Sequence, residues 1–392
     1  MASEEIRVGL VGCGSRGTGA AEDCLKSAPG IRLVALADAF SDRLERSRRY
    51  FSEQRLDGLD VADERCFVGY DAYRRLIESG VDLVLLATPP GFRPLHFEAA
   101  IAAGKHVFME KPVAVDPVGV RRILAAGEQA REKELGVVAG TLYRHDRKFQ
   151  ETIRRVHDGA IGDIRAGRCA YNTGTLWRHD RKPGESDLEW QVRNWYYFDW
   201  LSGDHIVEQH VHTLDVMNWA MGGPPVRAIA TGGRQVRVGP AHGNIYDHFA
   251  VDYEFASGAH VLSLCRQIAG AHGEVGAWFV GTKGRAAPYS GRIEGESAWS
   301  FEGKAPNAYV VEHTDLVRSL REGKPLNEAR QIAESTLTAI LGREAAYTGK
   351  SVAWEEMLAS DLDLTPPSLD LESLADRMVP EVRPVPMPGV AR

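Results

Sequence analysis

The stretch GLVGCGSRGTG, residues 9–19, constrains the fold of this chain more than any other. Gly12, Gly14 and Gly17 form G-x-G-x-x-G directly after the apolar run Ile6–Val11, and Asp38 closes a second apolar run about 20 residues further on. Each residue type has a physical task in such a turn. Gly12 permits the sharp exit from a strand, Gly14 lets a pyrophosphate approach the backbone, and Gly17 lets the following helix pack close to the sheet. A helix opening at Ser15 and Arg16 points its free N–H groups and positive dipole end at the phosphates. Asp38 can accept hydrogen bonds from adenosine ribose hydroxyls and would repel a 2′-phosphate, which favours NAD over NADP; Arg43 nearby weakens that preference. The implied fold class is an α/β Rossmann domain with a doubly wound parallel sheet.

The pattern continues in the same sense. Apolar runs at 6–11, 31–37, 81–87, 105–109 and 137–141 alternate with helical patterns at 71–78, 94–103 and 117–134. Continuous apolar strands between helices imply a parallel sheet covered on both faces. Residues 51–68 lack periodicity and read as a loop ending in a short strand. After residue 142 the character changes. A helix is expected at 147–157, a polar and aromatic stretch at 171–201, a helix at 204–219, and strands at 226–238, 249–255, 260–267 and 275–280. Helices at 309–322 and 328–348 follow. The second part reads as an α+β domain with a largely antiparallel, open-faced sheet. The boundaries expected are 1–142, 143–350 with its last helices able to pack back on the first domain, and an extended Pro-rich tail over 351–392.

Composition narrows the function. The 392 residues are 44% hydrophobic and 26% charged with formal net charge −7, which suits two domains with real cores. No basic stripe suggests nucleic acid, and no apolar run reaches membrane-spanning length. The five cysteines are scattered without a C-x-x-C, so a disulfide framework or structural zinc is not expected. MASEEIRVGL lacks a basic n-region and an apolar h-region. The expectation is the cytoplasm, with a processed export signal as the alternative.

Ligands of doubly wound sheets bind at the carboxyl ends of the strands. Two such ends are unusual here: Ala87-Thr88-Pro89-Pro90 and Met109-Glu110-Lys111-Pro112. A lysine at the second end can orient a substrate hydroxyl and stabilise a developing alkoxide. Glu110 can orient cofactor or backbone. A third constellation lies on the expected helix at 204–219. There Asp204, Glu208, His212 and Asp215 recur at helical spacing and would share one stripe. His212 suits proton abstraction near neutral pH. A metal centre of Glu208, His210 and His212 is disfavoured, because residues two apart on a helix diverge. Tyr143 and Arg144 follow the last expected Rossmann strand. Trp195 and its aromatic neighbours could stack on a sugar face or belong to the core.

These motifs together resemble the Gfo/Idh/MocA oxidoreductases, the family of glucose–fructose oxidoreductase and inositol dehydrogenase. The resemblance rests on GLVGCGSRGTG, the ATPP exit, the run HFEAAIAAGKHVFMEKP (96–112), His212-x-x-Asp215, and the helix pair ending TGKSV. It implies catalytic roles for Lys111, His212 and Glu208. Glu208 stands where many family dehydrogenases carry Asp. It places Gly12, Gly14, Ser15, Arg16, Gly17, Asp38, Thr88, Pro89, His96, Glu110 and Lys111 at the cofactor. Lys111, Tyr143, Arg144, Trp195, His210 and His212 are placed at the substrate. The expected reaction is hydride transfer between nicotinamide and a secondary alcohol of a sugar, glycoside or polyol. One alternative is glycoside hydrolysis by transient oxidation with retained NAD. The other is a non-catalytic dinucleotide sensor. The family sheet usually mediates homodimers or homotetramers.

Overall fold

The computed structural model describes residues 5–366 and 382–390. Its first sheet comprises β1 (Ile6–Val11), β2 (Ile31–Asp38), β3 (Cys66–Val68), β4 (Leu83–Leu86), β5 (His106–Met109) and β6 (Val137–Ala139). All pair in parallel, in the order β3-β2-β1-β4-β5-β6. The chain reverses its direction of winding between β1 and β4, so a crevice opens above their carboxyl ends. Helices α1 (Ser15–Ser27), α2 (Ser41–Gln54), α3 (Ala72–Glu78), α4 (Arg93–Ala102) and α5 (Pro117–Glu132) cover the sheet. The covered strands are therefore apolar throughout: every residue of β4 is buried. Asp116 caps α5 by accepting from Gly119 N at 2.7 Å, with Pro117 in the first helical position. The end of α2 occupies the first part of 51–68, and β3 is the short strand expected there.

The second domain opens with α6 (Arg147–His157) and β7 (Ile164–Thr173). Four short helical pieces follow: α7 (Asp187–Arg193), α8 (Asp199–Ser202), α9 (His205–Glu208) and α10 (Val211–Met221). Next come β8 (Arg227–Gly233), β9 (His248–Glu254), β10 (His260–Gln267), β11 (Glu274–Gly281), β12 (Gly284–Ala287), β13 (Arg292–Gly295) and β14 (Trp299–Ser300). The chain closes with α11 (Ala308–Arg321), α12 (Ala329–Thr348), β15 (Val352–Ala353) and α13 (Trp354–Ala359). Among the described residues this second sheet has nine strands, ordered β14-β13-β12-β11-β7-β10-β9-β8-β15. Only β7 and β10 pair in parallel. Its inner face carries α10 and α12. Its outer face leaves Ile229 (53%), Leu262 (43%) and Val280 (42%) exposed.

Three expectations are corrected. The helix expected at 204–219 is broken at Gln209 into α9 and α10. The region from 351 is not an extended tail at its start, since β15 pairs with β8, α13 follows, and Leu364 is buried. The rest of that call, residues 367–381, lies outside the described residues. No strand is expected between 157 and 201, yet β7, the ten-residue centre of the second sheet, lies there, overlapping the start of the polar, aromatic stretch. All five cysteines are free thiols. Among the described residues, no helix is long and apolar enough to cross a membrane.

The closing helices return to the first domain, α11 against α1 and α12 against α5. A buried ion cluster secures this return. His145, just after β6, bonds through Nδ1 to Asp315 of α11 at 2.7 Å and through Nε2 faces Glu328 at 3.3 Å. Burial opposes charge on His145, but Asp315 and Glu328 prevail and raise its pKa from 6.5 to about 10. A raised folded value means the bridge stabilises fully below the ordinary histidine range and is lost as pH climbs through about 10. His145→Gln should therefore cost about 2–4 kcal/mol at neutral pH. Urea unfolding should also find stability falling less steeply towards alkaline pH in the variant than in the wild type. Equal slopes for the two proteins would contradict this assignment.

Candidate active site

A cavity of about 830 Å³ runs above the carboxyl ends of the first sheet. Its floor is the glycine turn. Gly12 has φ +98°, and a Cβ there would meet the Ala87 carbonyl carbon at 2.7 Å. At Gly17 a Cβ would overlap the Gly12 carbonyl oxygen. Gly14 has no neighbour within 4 Å of the Cβ position, so the space above it is open. The start of α1 has no side-chain cap and no acidic residue in its first turn. Its first N–H groups face the cavity that Ser15, Arg16 and Gly17 line. At the far end, Asp38 accepts from Cys13 N at 2.7 Å and Phe40 N at 2.9 Å, which holds its carboxylate still. An uncapped helix start, an open glycine and a fixed acid fit a dinucleotide in chemistry and placement.

The second strand-end wall is built from α4. Arg93 is buried and donates to the Leu86 and Thr88 carbonyls, fixing the exit of β4. Thr88 Oγ1 lies 3.1 Å from His96 Nδ1. Burial, with Arg93 adding to it, lowers the His96 pKa to about 3, so this histidine is neutral. Thr88, Pro89 and His96 all line the cavity. Glu110 is buried and receives Arg16 Nε at 2.6 Å, which ties the E-K-P turn to the first turn of α1.

Lys111 crosses to the second domain. Its Nζ donates to the Glu208 carbonyl at 2.6 Å and to Glu208 Oε1 at 3.0 Å. The break between α9 and α10 makes this possible: the His212 N–H turns to Gln209 O at 3.4 Å, leaving the Glu208 carbonyl for the lysine. His212 thus stands in the first turn of α10, half-buried, its ring edge-on to Tyr143 at 5.7 Å. Its Nδ1 is buried without a hydrogen-bond partner. Burial first, then the Lys111 and Arg16 cations, push the imidazole well below its ordinary range. Tyr143 stacks on Phe149 at 4.5 Å and meets Tyr289 at 5.0 Å.

The single polar stripe expected from residue 204 does not exist, because the helix break changes the phase. Asp204, at φ +75°, is fully buried and accepts from Tyr246 N at 2.7 Å and from the His205 N–H and the Tyr347 hydroxyl. Asp215 is gripped by Arg144 through Nε at 2.9 Å and Nη2 at 2.9 Å, and by Ser335. Arg144 also lies over Trp219, so the structure commits it to a salt bridge rather than to the cavity. His210, expected at the substrate, is fully enclosed. Ser263 Oγ at 2.6 Å and Thr213 Oγ1 at 2.6 Å occupy both its ring nitrogens, leaving nothing for a ligand. Trp195 does line the cavity, with Tyr196, Trp177 and Arg193 beside it. Sequence reasoning passed over Arg193 and Trp177, which lie in a stretch without periodicity.

Known proteins agree with this architecture. The model of an oxidoreductase family with an NAD-binding Rossmann fold, GFO_IDH_MocA, matches residues 6–138, and the GFO/IDH/MocA C-terminal domain model matches 149–287. Inositol 2-dehydrogenase of Pseudomonas fluorescens is 30% identical over 259 residues, covering 65% of this chain and 66% of that one. Inositol 2-dehydrogenase 4 of Saccharopolyspora erythraea is 33% identical over 171 residues, 44% of this chain and 46% of its own. The matched segments thus span about half to two-thirds of these relatives' lengths. A levoglucosan dehydrogenase solved with NADH and levoglucosan superposes with TM-score 0.70 at 17% identity, over 89% of this chain and 99% of that one, a likeness of fold. With one family model on each sheet-bearing half, the chain belongs to the Gfo/Idh/MocA family.

Proposed function

We propose that this protein is an NAD-dependent dehydrogenase acting on a secondary alcohol of a sugar, glycoside or polyol. The observation that carries the reading is the meeting of Lys111, Glu208 and His212 at the domain junction, where Glu208 lines the cavity above the glycine turn. Inositol dehydrogenases among the relatives, and a bound NADH in a fold neighbour, support it. When bound, the nicotinamide supplies the hydride acceptor. The remaining work falls to the chain. Lys111 points its ammonium at the substrate oxygen and favours the alkoxide as it forms. Glu208, through its carboxylate and carbonyl, fixes where that ammonium sits. His212 is uncharged at neutral pH and takes the hydroxyl proton. An imidazole with so low a pKa is a weak base in isolation. The lysine offsets this by lowering the pKa of the hydroxyl itself. The buried Asp38 carboxylate would face a 2′-phosphate with like charge, which supports NAD over NADP.

The outer face of the nine-stranded sheet supports a second proposal, that copies of this chain pair through it. Leu262 on β10 and Ile229 on β8 are apolar and exposed on one face of the sheet, either side of Asp252 on β9, a mixed face suited to an interaction surface.

Turnover of NAD against a panel of inositols, sugars and aryl glycosides, with NADH and aglycone followed together, tests the reaction class. NADH accumulation is expected; aglycone release without NADH would contradict it in favour of hydrolysis. In the active pairing, Lys111→Met should lower kcat by about 10²–10³-fold while NAD still binds. His212→Ala should lower it by about 10²–10⁴-fold. Near-wild-type turnover in either would remove that residue from the chemistry. Because His212 is held well below the ordinary imidazole range, the acid limb of kcat/KM should fall below that range. A limb at the pH of a free histidine would contradict the neutral-base role. Light scattering should find an oligomer that Leu262→Asp shifts towards monomer; a monomeric wild type would contradict pairing through the sheet.

A further inference from the structure

The cavity has a roof, and the roof comes from the other domain. After β7 the chain leaves the second sheet and passes over the carboxyl ends of the first; it meets its own domain again from Asn194, which donates to the Ala241 carbonyl at 2.9 Å, and Tyr196, whose hydroxyl accepts from Gln267 at 2.8 Å. Leu176, His179, Val192 and Arg193 from this crossing line the same cavity as Gly14 and Asp38. The crossing is a folded piece. Trp190 Nε1 donates to the His179 carbonyl at 3.0 Å, and His179 N donates to Asn194 Oδ1 at 3.0 Å. Leu188, Trp190, Val192 and Trp200 share one apolar cluster with Phe40 and Phe92 of the first domain. At Gly91 a Cβ would overlap the Trp200 carbonyl oxygen, so the two backbones touch there.

At the adenosine end the crossing also makes polar contacts with the first domain. The Arg193 guanidinium stacks 3.8 Å from the Phe40 ring centroid. It also forms a bidentate pair with Asp42, with Nη2 to Oδ1 at 3.0 Å and Nη1 to Oδ2 at 3.3 Å. Arg43 Nη2 donates back to the Arg193 carbonyl at 3.3 Å. Glu189 holds Arg193 Nε at 2.9 Å and fixes the guanidinium plane. Phe40, Asp42 and Arg43 directly follow Asp38, the acid placed at the adenosine ribose.

From this we infer that the adenosine site is shared between the domains, with Arg193 as the positioning residue that pins the second-domain roof over the nucleotide. The inference rests on the dinucleotide reading but not on the substrate. The adenosine then lies between floor and roof. It can leave or enter only when Arg193 gives up its ring stack and its carboxylate together. Release and association are both gated by that opening, and the protein holds its cofactor longer than direct contacts to the nucleotide would dictate.

The test follows NADH fluorescence in a stopped-flow instrument, using the full-length protein and chase with excess NAD. Arg193→Ala should speed NADH release by about tenfold and speed association as well. Losing a direct nucleotide contact would quicken release alone. Arg193→Lys keeps the charge and loses the planar stack, so it should fall between wild type and Arg193→Ala. Asp42→Asn changes an exposed side chain with little risk to folding and should also speed both steps. Wild-type rates in Arg193→Lys and Asp42→Asn would overturn the shared roof while leaving the dinucleotide site intact. Absence of NADH binding to the wild type would overturn both.

Discussion

The contact on which the rest of this structure turns is the reach of Lys111 across to Glu208. One ammonium group, placed at the end of β5, satisfies a carbonyl and a carboxylate 97 positions away in the other domain. The carbonyl is free because α9 stops there, with the next helix starting at Val211. A continuous helix would have consumed that carbonyl internally and put His212 on a different bearing. The break therefore exchanges one helical hydrogen bond for a domain-bridging one. Glu110, the residue before the lysine, is held by Arg16 from the glycine turn, so the E-K-P segment is fixed to the cofactor floor on one side and to the second domain on the other.

Much of the first domain was legible because its signals are local. The glycines at 12, 14 and 17, the acid at 38 and the apolar strands each report on a backbone need that no distant residue can change. Lys111 was readable from its place at a strand end. Its partner was not, since nothing in the spacing of positions 111 and 208 encodes their meeting. The helix break escaped for a related reason: residues 204–219 have unobjectionable helix propensity and periodicity, and the packing of buried Asp204 among Tyr246 and Tyr347 overrides both. It is this override that sends His210 into the core and Asp215 to Arg144. The central strand β7 was missed because its inward residues are small. Only Cys169 and Ala170 are buried along its ten positions, so no alternation of large apolar residues announces it.

The roof over the adenosine end was hidden for the opposite reason. Residues 171–201 look like a polar linker with scattered tryptophans, yet Trp190 and Trp200, with Trp195 packed beside them, belong to the cluster that joins the domains. A segment that packs by aromatic anchors rather than by periodic faces leaves no helical or strand signature. In function the roof and the Lys111 bridge are complementary. Each ties the second domain to the first, one at the adenosine end of the cavity and the other where the chemistry is expected, so the cleft is clamped at both ends.

Direct tracking of the transferred hydrogen bears most closely on the central claim. The protein would be incubated with NAD and inositols or sugars carrying deuterium at the carbinol carbons, and the cofactor analysed by mass spectrometry. Hydride transfer between Lys111-oriented substrate and nicotinamide predicts deuterium on the cofactor and none released to water. Unlabelled cofactor, or deuterium appearing in the solvent, would contradict it.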